Sequence, residues 1–418
     1  MGRLPLDGVR IIDFSWVAAG PVMTSLLCDM GAEVIKVESR KRLDYCRLMP
    51  RPERVEGDPL SDFFFSGKEY DTVPLFHEYN RGKKSITVDI KRPEGIDLLK
   101  KLIGKSDVVC DNFTPRVMKS IGLDYESLRS VKPDIIVLSA SAGGAHGPLK
   151  DLKAFAANIT GLAGLEGLYG YENEGVLGSL TFAIGDYNGA FHGALAILAA
   201  LYCRKKSGKG QFIDMCQIET TSGLISEAFM GFFMNGTVAA PQGNCHPTMS
   251  PHGIYPCKGE DQWVSIAVKG DEEWKALVAA MGKPRWCFEE RFSDHDVRLR
   301  HREELDRRLA AWTKGYGKEE ITALLQRGGV AAMGVQTIEE FQDKDPHFAA
   351  RKSRIECGHP RLQGRLKVQG NPVRLSETPA RIDRLAPLLG EHTRDLMMDL
   401  AGLSRDEVDR LIDEKVLF

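Results

Sequence analysis

VRIIDFSWVAAGPVMTSLLCDMGAEVIKV, residues 9–37, decides the fold class. Val9 to Phe14 is an apolar, β-branched run, short enough to be a strand buried on both faces. Gly20-Pro21 opens a helix through Asp29, because proline suits the first helical turn, where its missing N–H costs no bond. Gly31 ends that helix, and Ala32 to Val37 forms a second strand. Strand, helix and strand in this order predict a βαβ unit with a right-handed crossover.

The alternation continues downstream. Ser85 to Ile90 reads as a strand, and Pro93 starts a helix with Ile96, Leu98, Leu99, Leu102 and Ile103 on one face. Val108 to Cys110 is a strand, Pro115 to Ile121 a short helix, and Asp134 to Ser139 a strand. The pattern predicts an α/β, Rossmann-like domain, a largely parallel sheet with helices on both faces. Residues 161–179 hold six glycines, too many for a stable helix, and read as loop. After Gly185-Asp186 comes an apolar helix from Tyr187 to Tyr202, the turn Ser207-Gly208-Lys209-Gly210, a strand Gln211 to Met215 and a helix from Ile218 to Met234.

The polar stretch Gly236 to Gly253 marks a change of composition. Beyond it lie a strand, Trp263 to Val268, and amphipathic helices near 272–281 and 302–312, a smaller α+β domain. From Gln336 the chain reads as helix, extended segments around Arg365 to Val368, and a last helix from Ser404. The expected division is 1–235 for a large domain, 236–335 for a small one, and 336–418 for a return to the first.

The bulk numbers exclude several classes of function. A chain of 418 residues is long for one domain. With 43% apolar and 27% charged residues it has the make-up of a soluble globular protein. A net charge of −2 offers no basic excess for nucleic acid. No apolar run reaches the roughly 20 residues that span a membrane, and MGRLPLDGVR has no signal core, so a cytoplasmic protein is expected. The nine cysteines form no CxxC pair and the ten histidines no HExxH, which speaks against a disulfide framework and a metal centre.

Asp186 stands in Ile184-Gly185-Asp186-Tyr187-Asn188-Gly189 before the long helix. One reading is an N-cap, its carboxylate satisfying the first N–H groups of the helix. The other is a nucleophile, approached through flanking glycines and assisted by the helix N-terminus. Ala140-Ser141-Ala142-Gly143-Gly144 lacks the first glycine of a nucleophile elbow, and Ala145-His146-Gly147-Pro148 cannot start a helix cleanly. Gly161, Gly164 and Gly167 have the wrong spacing for a dinucleotide fingerprint. Basic residues cluster at Arg40, Lys41, Arg42 and Arg47, at Arg81, Lys83 and Lys84, and at Lys150 and Lys153. Together they follow predicted strand ends on one edge of the sheet, where several phosphates could be held, although any one cluster alone is an ordinary solvated face.

Five segments in order carry a family resemblance: LPLDGVRIIDFSWVAAGPVMTSLLCDMGAEVIKVE, NRGKKSITVDIKRPEG, SDVVCDNFTP, IGDYNGAFHGALAILAALYCRKKSGKGQFIDM and APLLGEHTRDLM. Together they resemble the class III CoA-transferases, the formyl-CoA transferase and carnitine CoA-transferase type, over nearly the whole chain. The resemblance implies a large domain built from both chain ends, a smaller inserted domain, and two subunits interlocked like chain links. It implies Asp186 as the nucleophile that forms a mixed anhydride and then an aspartyl-CoA thioester, with a CoA thioester as substrate and no bound metal or cofactor. By position, Val17, Ala18 and Ala19 should line the CoA channel, Asn112 and Phe113 should lie by pantetheine and adenine, and Arg47, Lys83 and Lys153 should meet phosphates.

Other positions depart from the pattern. QGNCHPTMSPHG replaces the glycine-rich flap of the formyl-CoA enzyme, Phe155 and Ala156 replace a Tyr and its acidic neighbour, and Ala18 replaces Gln. These changes argue against formyl-CoA or oxalate as substrate. Residues 161–179 and 242–253 are the candidate lids that would keep water from an anhydride. FSWVAAGPVMT, Trp16 and the insertion from Ser61 to Tyr79 are most similar to subunits of benzylsuccinate CoA-transferase, which implies succinyl-CoA as donor, a substituted succinate as acceptor, and a homodimer or a heteromer with a related subunit. The alternative is an acyl-CoA racemase or isomerase of the same fold, in which His146 would supply the second acid/base group.

Overall fold

The computed structural model describes residues 3–48, 69–172, 174–178, 183–360 and 365–418. Residues 61–68 of the insertion lie outside the described residues. The chain divides into two compact units, one of Met1–Glu166, Ser179–Thr237 and Ala349–Phe418, the other of Gly167–Gly178 and Val238–Phe348. The return comes at Ala349 rather than 336, and the segment 167–178 goes with the smaller unit. That segment is a two-stranded ribbon, Gly170–Tyr171 paired with Gly175–Val176, and Gly243 donates its N–H to the Gly170 carbonyl at 2.9 Å. The two candidate lid segments are thus joined by a backbone bond within one unit.

In the large unit the elements run β1 (Arg10–Asp13), α1 (Ala19–Asp29), β2 (Glu33–Glu38), α2 (Pro74–Asn80), β3 (Lys84–Thr87), α3 (Pro93–Ile103), β4 (Val108–Asp111), β5 (Ile136–Ser139), α4 (Ile184–Ser207), β6 (Phe212–Asp214), α5 (Gln217–Ser222) and α6 (Ser226–Asn235). The six strands form one parallel sheet in the order β3-β2-β1-β4-β5-β6. Successive residues alternate between two cores: Ile11, Val34, Val108 and Ile136 face α1 and α4, while Ile12, Ile35, Val109 and Val137 face α3. Burial on both faces is why these strands read as continuous apolar runs.

In the smaller unit β7 (His252–Pro256), β8 (Trp263–Ala267) and β9 (Ala331–Gly334) form an antiparallel sheet in the order β9-β8-β7. The helices α7 (Asp271–Ala280), α8 (Arg302–Thr313) and α9 (Lys318–Arg327) enclose a core with Tyr255, Val264, Ile266, Trp274 and Leu309. The chain re-enters the large unit through β10 (Arg354–Gly358) and β11 (Arg365–Gln369), an antiparallel pair, and ends with α10 (Arg405–Asp413), whose first turn carries a Ser404–Glu407 capping box. The returning segment covers the β3 side of the sheet: Thr87 donates its N–H to Thr393 Oγ1 at 3.0 Å and His392 donates its N–H to the Ser85 carbonyl at 2.9 Å. Among the described residues no helix is long and apolar enough to cross a membrane.

The turn that closes β6 onto the sheet has no room for a side chain. A Cβ on Gly210 would lie 2.0 Å from the Ile135 carbonyl oxygen. Gly210→Ala is therefore expected to cost about 1–3 kcal/mol, seen as a lower midpoint in denaturant unfolding with an unchanged slope.

Candidate active site

In this sheet β1 and β4 are neighbours, although β2 and β3 come between them in sequence. The chain therefore leaves their C-terminal ends in opposite directions and opens a crevice, the usual ligand position in such folds. Two loops meet there. Asn112, after β4, accepts the Trp16 N–H at 2.9 Å through Oδ1 and donates to the Trp16 carbonyl at 2.7 Å through Nδ2. The Phe113 ring meets Trp16 edge-on at 5.6 Å, and the Arg42 guanidinium covers the same indole at 4.8 Å. Asp111 closes the strand below, accepting from the Phe113 N–H at 3.1 Å and from the Ser139 hydroxyl at 3.1 Å. Burial pushes its carboxyl up to about 7, against the pull of those two bonds.

Past Trp16 the backbone is strained. Val17 has φ +65°, a left-handed conformation that a β-branched residue adopts at a cost of about 1–3 kcal/mol. Ala18 and Ala19 follow, both buried, and α1 begins. Gly20 cannot carry a side chain, since a Cβ would sit 2.1 Å from Ser15 Cβ. A polar network underlies the turn. Asp13 accepts from the Ser15 N–H at 2.9 Å, Thr24 Oγ1 at 2.7 Å and Lys83 Nζ at 2.9 Å. Burial alone would raise the Asp13 carboxyl, but Lys83, Lys36 and the two hydroxyls outweigh it and hold it at about 2. Beside it the buried Lys36 ammonium lies 2.9 Å from Asp44 Oδ2 and donates to the Ser15 carbonyl at 2.7 Å.

Asp186 is the third residue of α4, which starts at Ile184. The N-cap position is Ala183, so the capping expectation fails by three residues. Gly185, Gly189 and Gly193 explain why the helix can start this early and lie so close to its neighbours. A Cβ on Gly185 would stand 2.9 Å from Thr221 Oγ1, one on Gly189 3.5 Å from Gln217 Cγ, and one on Gly193 2.3 Å from Met23 Sδ. With that face bare, α1 and α5 pack directly onto α4. The carboxylate lies beside the N-terminus of α1, close enough for the Ala19 N–H to favour its charged form. Burial pushes Asp186 up to about 6, and the Ala19 N–H draws it partly back. Tyr187 and Tyr79 stand beside it, their hydroxyls sharing a 3.4 Å hydrogen bond. The result is a partly desolvated carboxyl at a helix N-terminus that can ionise near neutrality, a suitable state for a nucleophile.

Of the positions singled out in the sequence, Val17, Ala18, Ala19, Asn112 and Phe113 come together at this crevice, with Ala19 beside Asp186. Arg47 and Lys83 do not fit the expected phosphate role. Arg47 is enclosed, bound to Glu38 at 2.8 Å and Asp71 at 3.0 Å, and Lys83 is enclosed against Asp13, Asn80 and the Pro21 carbonyl. Freeing either would leave a carboxylate buried without its cation. Lys84 and Arg81 likewise bind Glu33 and Asp29. Lys153 and Lys150 remain exposed and make no ion pair among the described residues. Ser141 is buried with no helix after it, so the elbow geometry is absent. His146 is 86% exposed and pairs with Asp214 at 3.0 Å, a poor setting for the desolvated acid/base of a racemase. Asp44, Asp111 and Tyr79 were not singled out in the sequence. Only Lys36, a cation inside an apolar strand, announces there that a buried acid must exist.

Residues 6–393 match the model of CoA-transferase family III. A succinyl-CoA–D-citramalate CoA-transferase of Chloroflexus aurantiacus is 33% identical over 99% of this chain and 98% of its own. A succinate–glutarate CoA-transferase of Agrobacterium fabrum is 31% identical over 96% and 97%. The alpha subunit of a succinyl-CoA–L-malate CoA-transferase of Chloroflexus aurantiacus is 30% identical over 99% of this chain and 93% of its own. Among solved structures, a CAIB/BAIF family protein from Brucella suis superposes with a TM-score of 0.84 at 30% identity, covering 96% of this chain and all of that one.

The charge state of Asp186 is open to test through stability. A proton bound at a raised pKa favours the fold below the ordinary value of 3.8, and this contribution is lost as pH rises through about 6. Above pH 7 the native carboxylate is a net cost. Asp186→Asn is therefore expected to be more stable than the native chain at pH 8 by about 1–3 kcal/mol, the gap closing near pH 4 in denaturant titrations.

Proposed function

The chain belongs to CoA-transferase family III and is a CoA-transferase, and on that premise we propose that Asp186 is the carboxylate that accepts the acyl group and then CoA. The observation that carries this is the position of Asp186 on the first turn of α4, facing the Ala19 N–H at the start of α1. One Asp186 oxygen attacks the thioester carbonyl; the C–S bond breaks, CoA leaves as thiolate, and a mixed anhydride remains. The thiolate attacks the aspartyl carbonyl and expels the donor acid, leaving an aspartyl-CoA thioester. The acceptor carboxylate attacks that thioester, and the returning thiolate takes the acceptor acyl group and restores Asp186. No proton is gained or lost in the cycle. Each tetrahedral intermediate carries an oxyanion, which backbone N–H groups at a helix N-terminus stabilise without being consumed.

The donor we propose is succinyl-CoA, and the acceptor a dicarboxylic acid. The relatives' names support this, since they join succinyl-CoA or succinate to citramalate, glutarate or malate. The finer assignment, benzylsuccinate or another substituted succinate, rests on Trp16 and its surroundings. Assembly with a second subunit is supported by α6, which buries no residue although Phe229, Met230, Phe232, Phe233 and Met234 make up half of it. On α4, Phe191, Leu195, Leu198 and Tyr202 are also exposed at helical spacing. Whether that partner is a second copy or a related subunit distinguishes a homodimer from a heteromer. Sedimentation of the purified chain should show a species larger than the monomer; a monomer that gains activity only with a related chain would establish the heteromer.

The covalent step is tested by intact-protein mass after incubation with succinyl-CoA. The native chain should gain a CoA adduct on the peptide that holds Asp186, and Asp186→Ala should gain none. An adduct that persists in the variant would reject the assignment. In an acceptor panel, turnover with methylsuccinate or benzylsuccinate above that with acetate would support the dicarboxylate reading.

A further inference from the structure

Val17 adopts a conformation that its own side chain disfavours, φ +65°, two residues before the N–H that faces Asp186. Such strain persists only where the surroundings over-determine it. Here one short segment holds both polar groups of the residue. The Val17 N–H donates to Asp44 Oδ1 at 3.2 Å, and the Val17 carbonyl accepts from Cys46 Sγ at 3.3 Å. Asp44 Oδ1 also accepts the Cys46 N–H at 3.0 Å, which ties the segment to itself. Asp44 Oδ2 meets Lys36 Nζ at 2.9 Å, and neither side chain has any exposure. Asp44 therefore has two directed tasks, one toward a buried cation and one toward a strained backbone.

We propose that Asp44 is a positioning residue for the transfer reaction: it holds Val17 in the left-handed conformation that sets where α1 begins, beside Asp186. This rests on the reading of Asp186 as nucleophile. The ion pair with Lys36 fixes which way the carboxylate points, and the second oxygen is then presented to Val17. Without that acceptor, a valine returns toward an extended conformation, and the start of α1 moves with it.

Asp44→Asn separates these tasks. Lys36 attracts the amide oxygen, so the NH2 group must face the Val17 N–H, donor against donor. The variant should form the Asp186-CoA adduct at least about 10-fold more slowly in a single turnover. Its rate should rise with pH about a midpoint above the native one, because the Ala19 N–H no longer favours the carboxylate. KM for succinyl-CoA should change little. Adding Val17→Gly, which makes φ +65° accessible without restraint, should restore most of the rate and the native midpoint. Where Asp44→Asn does not fold, Cys46→Ala removes only the second tether and should shift the midpoint in the same direction. A native rate and midpoint in Asp44→Asn or Cys46→Ala would overturn the proposal, as would a double variant no faster than Asp44→Asn. A native chain that forms no adduct at Asp186 would instead reject the nucleophile assignment on which the proposal stands.

Discussion

Lys36 and Lys83 each carry a positive charge into the interior beneath the loop that leads to α1, and Asp44 and Asp13 meet them at 2.9 Å. Such pairs add little net stability when complete, but removing one member costs about 3–5 kcal/mol. Their effect is to permit one arrangement. Asp13 fixes Ser15 and Thr24, Lys36 fixes the Ser15 carbonyl, and Asp44 fixes Val17. Between β1 and α1, Ser15 and Val17 are held by charged side chains brought from β2 and the loop after it, and Trp16 by the amide of Asn112. The geometry around Asp186 inherits that placement, because the Ala19 N–H comes at its end.

The charges also sort the acids of the large unit by task. Asp13 and Glu38 have cations against them and stay ionised. No cation contributes to the setting of Asp186 among the described residues, and burial leaves it close to neutrality. A nucleophile locked in an ion pair would have to break that pair in order to react. A carboxylate beside a helix N-terminus keeps both oxygens available, and the backbone N–H groups there can follow the charge as it moves to the oxyanion.

The sheet was legible because its chemistry is local. Runs such as Val9 to Phe14 are buried on both faces, and Gly and Pro mark their ends. Smaller features were hidden by longer-range effects. β7 begins with His252 and Gly253, which carry no strand signal, and it forms because β8 supplies its partner. The helix expected from Ile218 to Met234 is interrupted at Gly223–Ile225, between α5 on the site and an exposed α6. Asp186 looked like a cap because Gly185 disfavours helix, and it lies inside because Thr221 and Thr160 need that glycine bare. The basic residues misled for one reason: Arg47, Arg81, Lys83 and Lys84 neutralise acids on other elements, and no local pattern distinguishes such a residue from one waiting for a phosphate.

The return of the chain to the sheet has a consequence for how the protein is made. Thr87 and its partner Thr393 are 306 residues apart, and Val88 bridges to Leu417 at the very edge strand that the smaller unit separates from its cover. A ribosome adding roughly 5–20 residues per second needs about 15–60 s to supply that cover after β3 has emerged. Through that interval the nascent sheet shows an unpaired edge, the surface on which strands of different chains associate. Biosynthesis, rather than the finished fold, is where this architecture is most exposed, and yield in the cell should depend on chaperones that hold the edge until the last residues arrive.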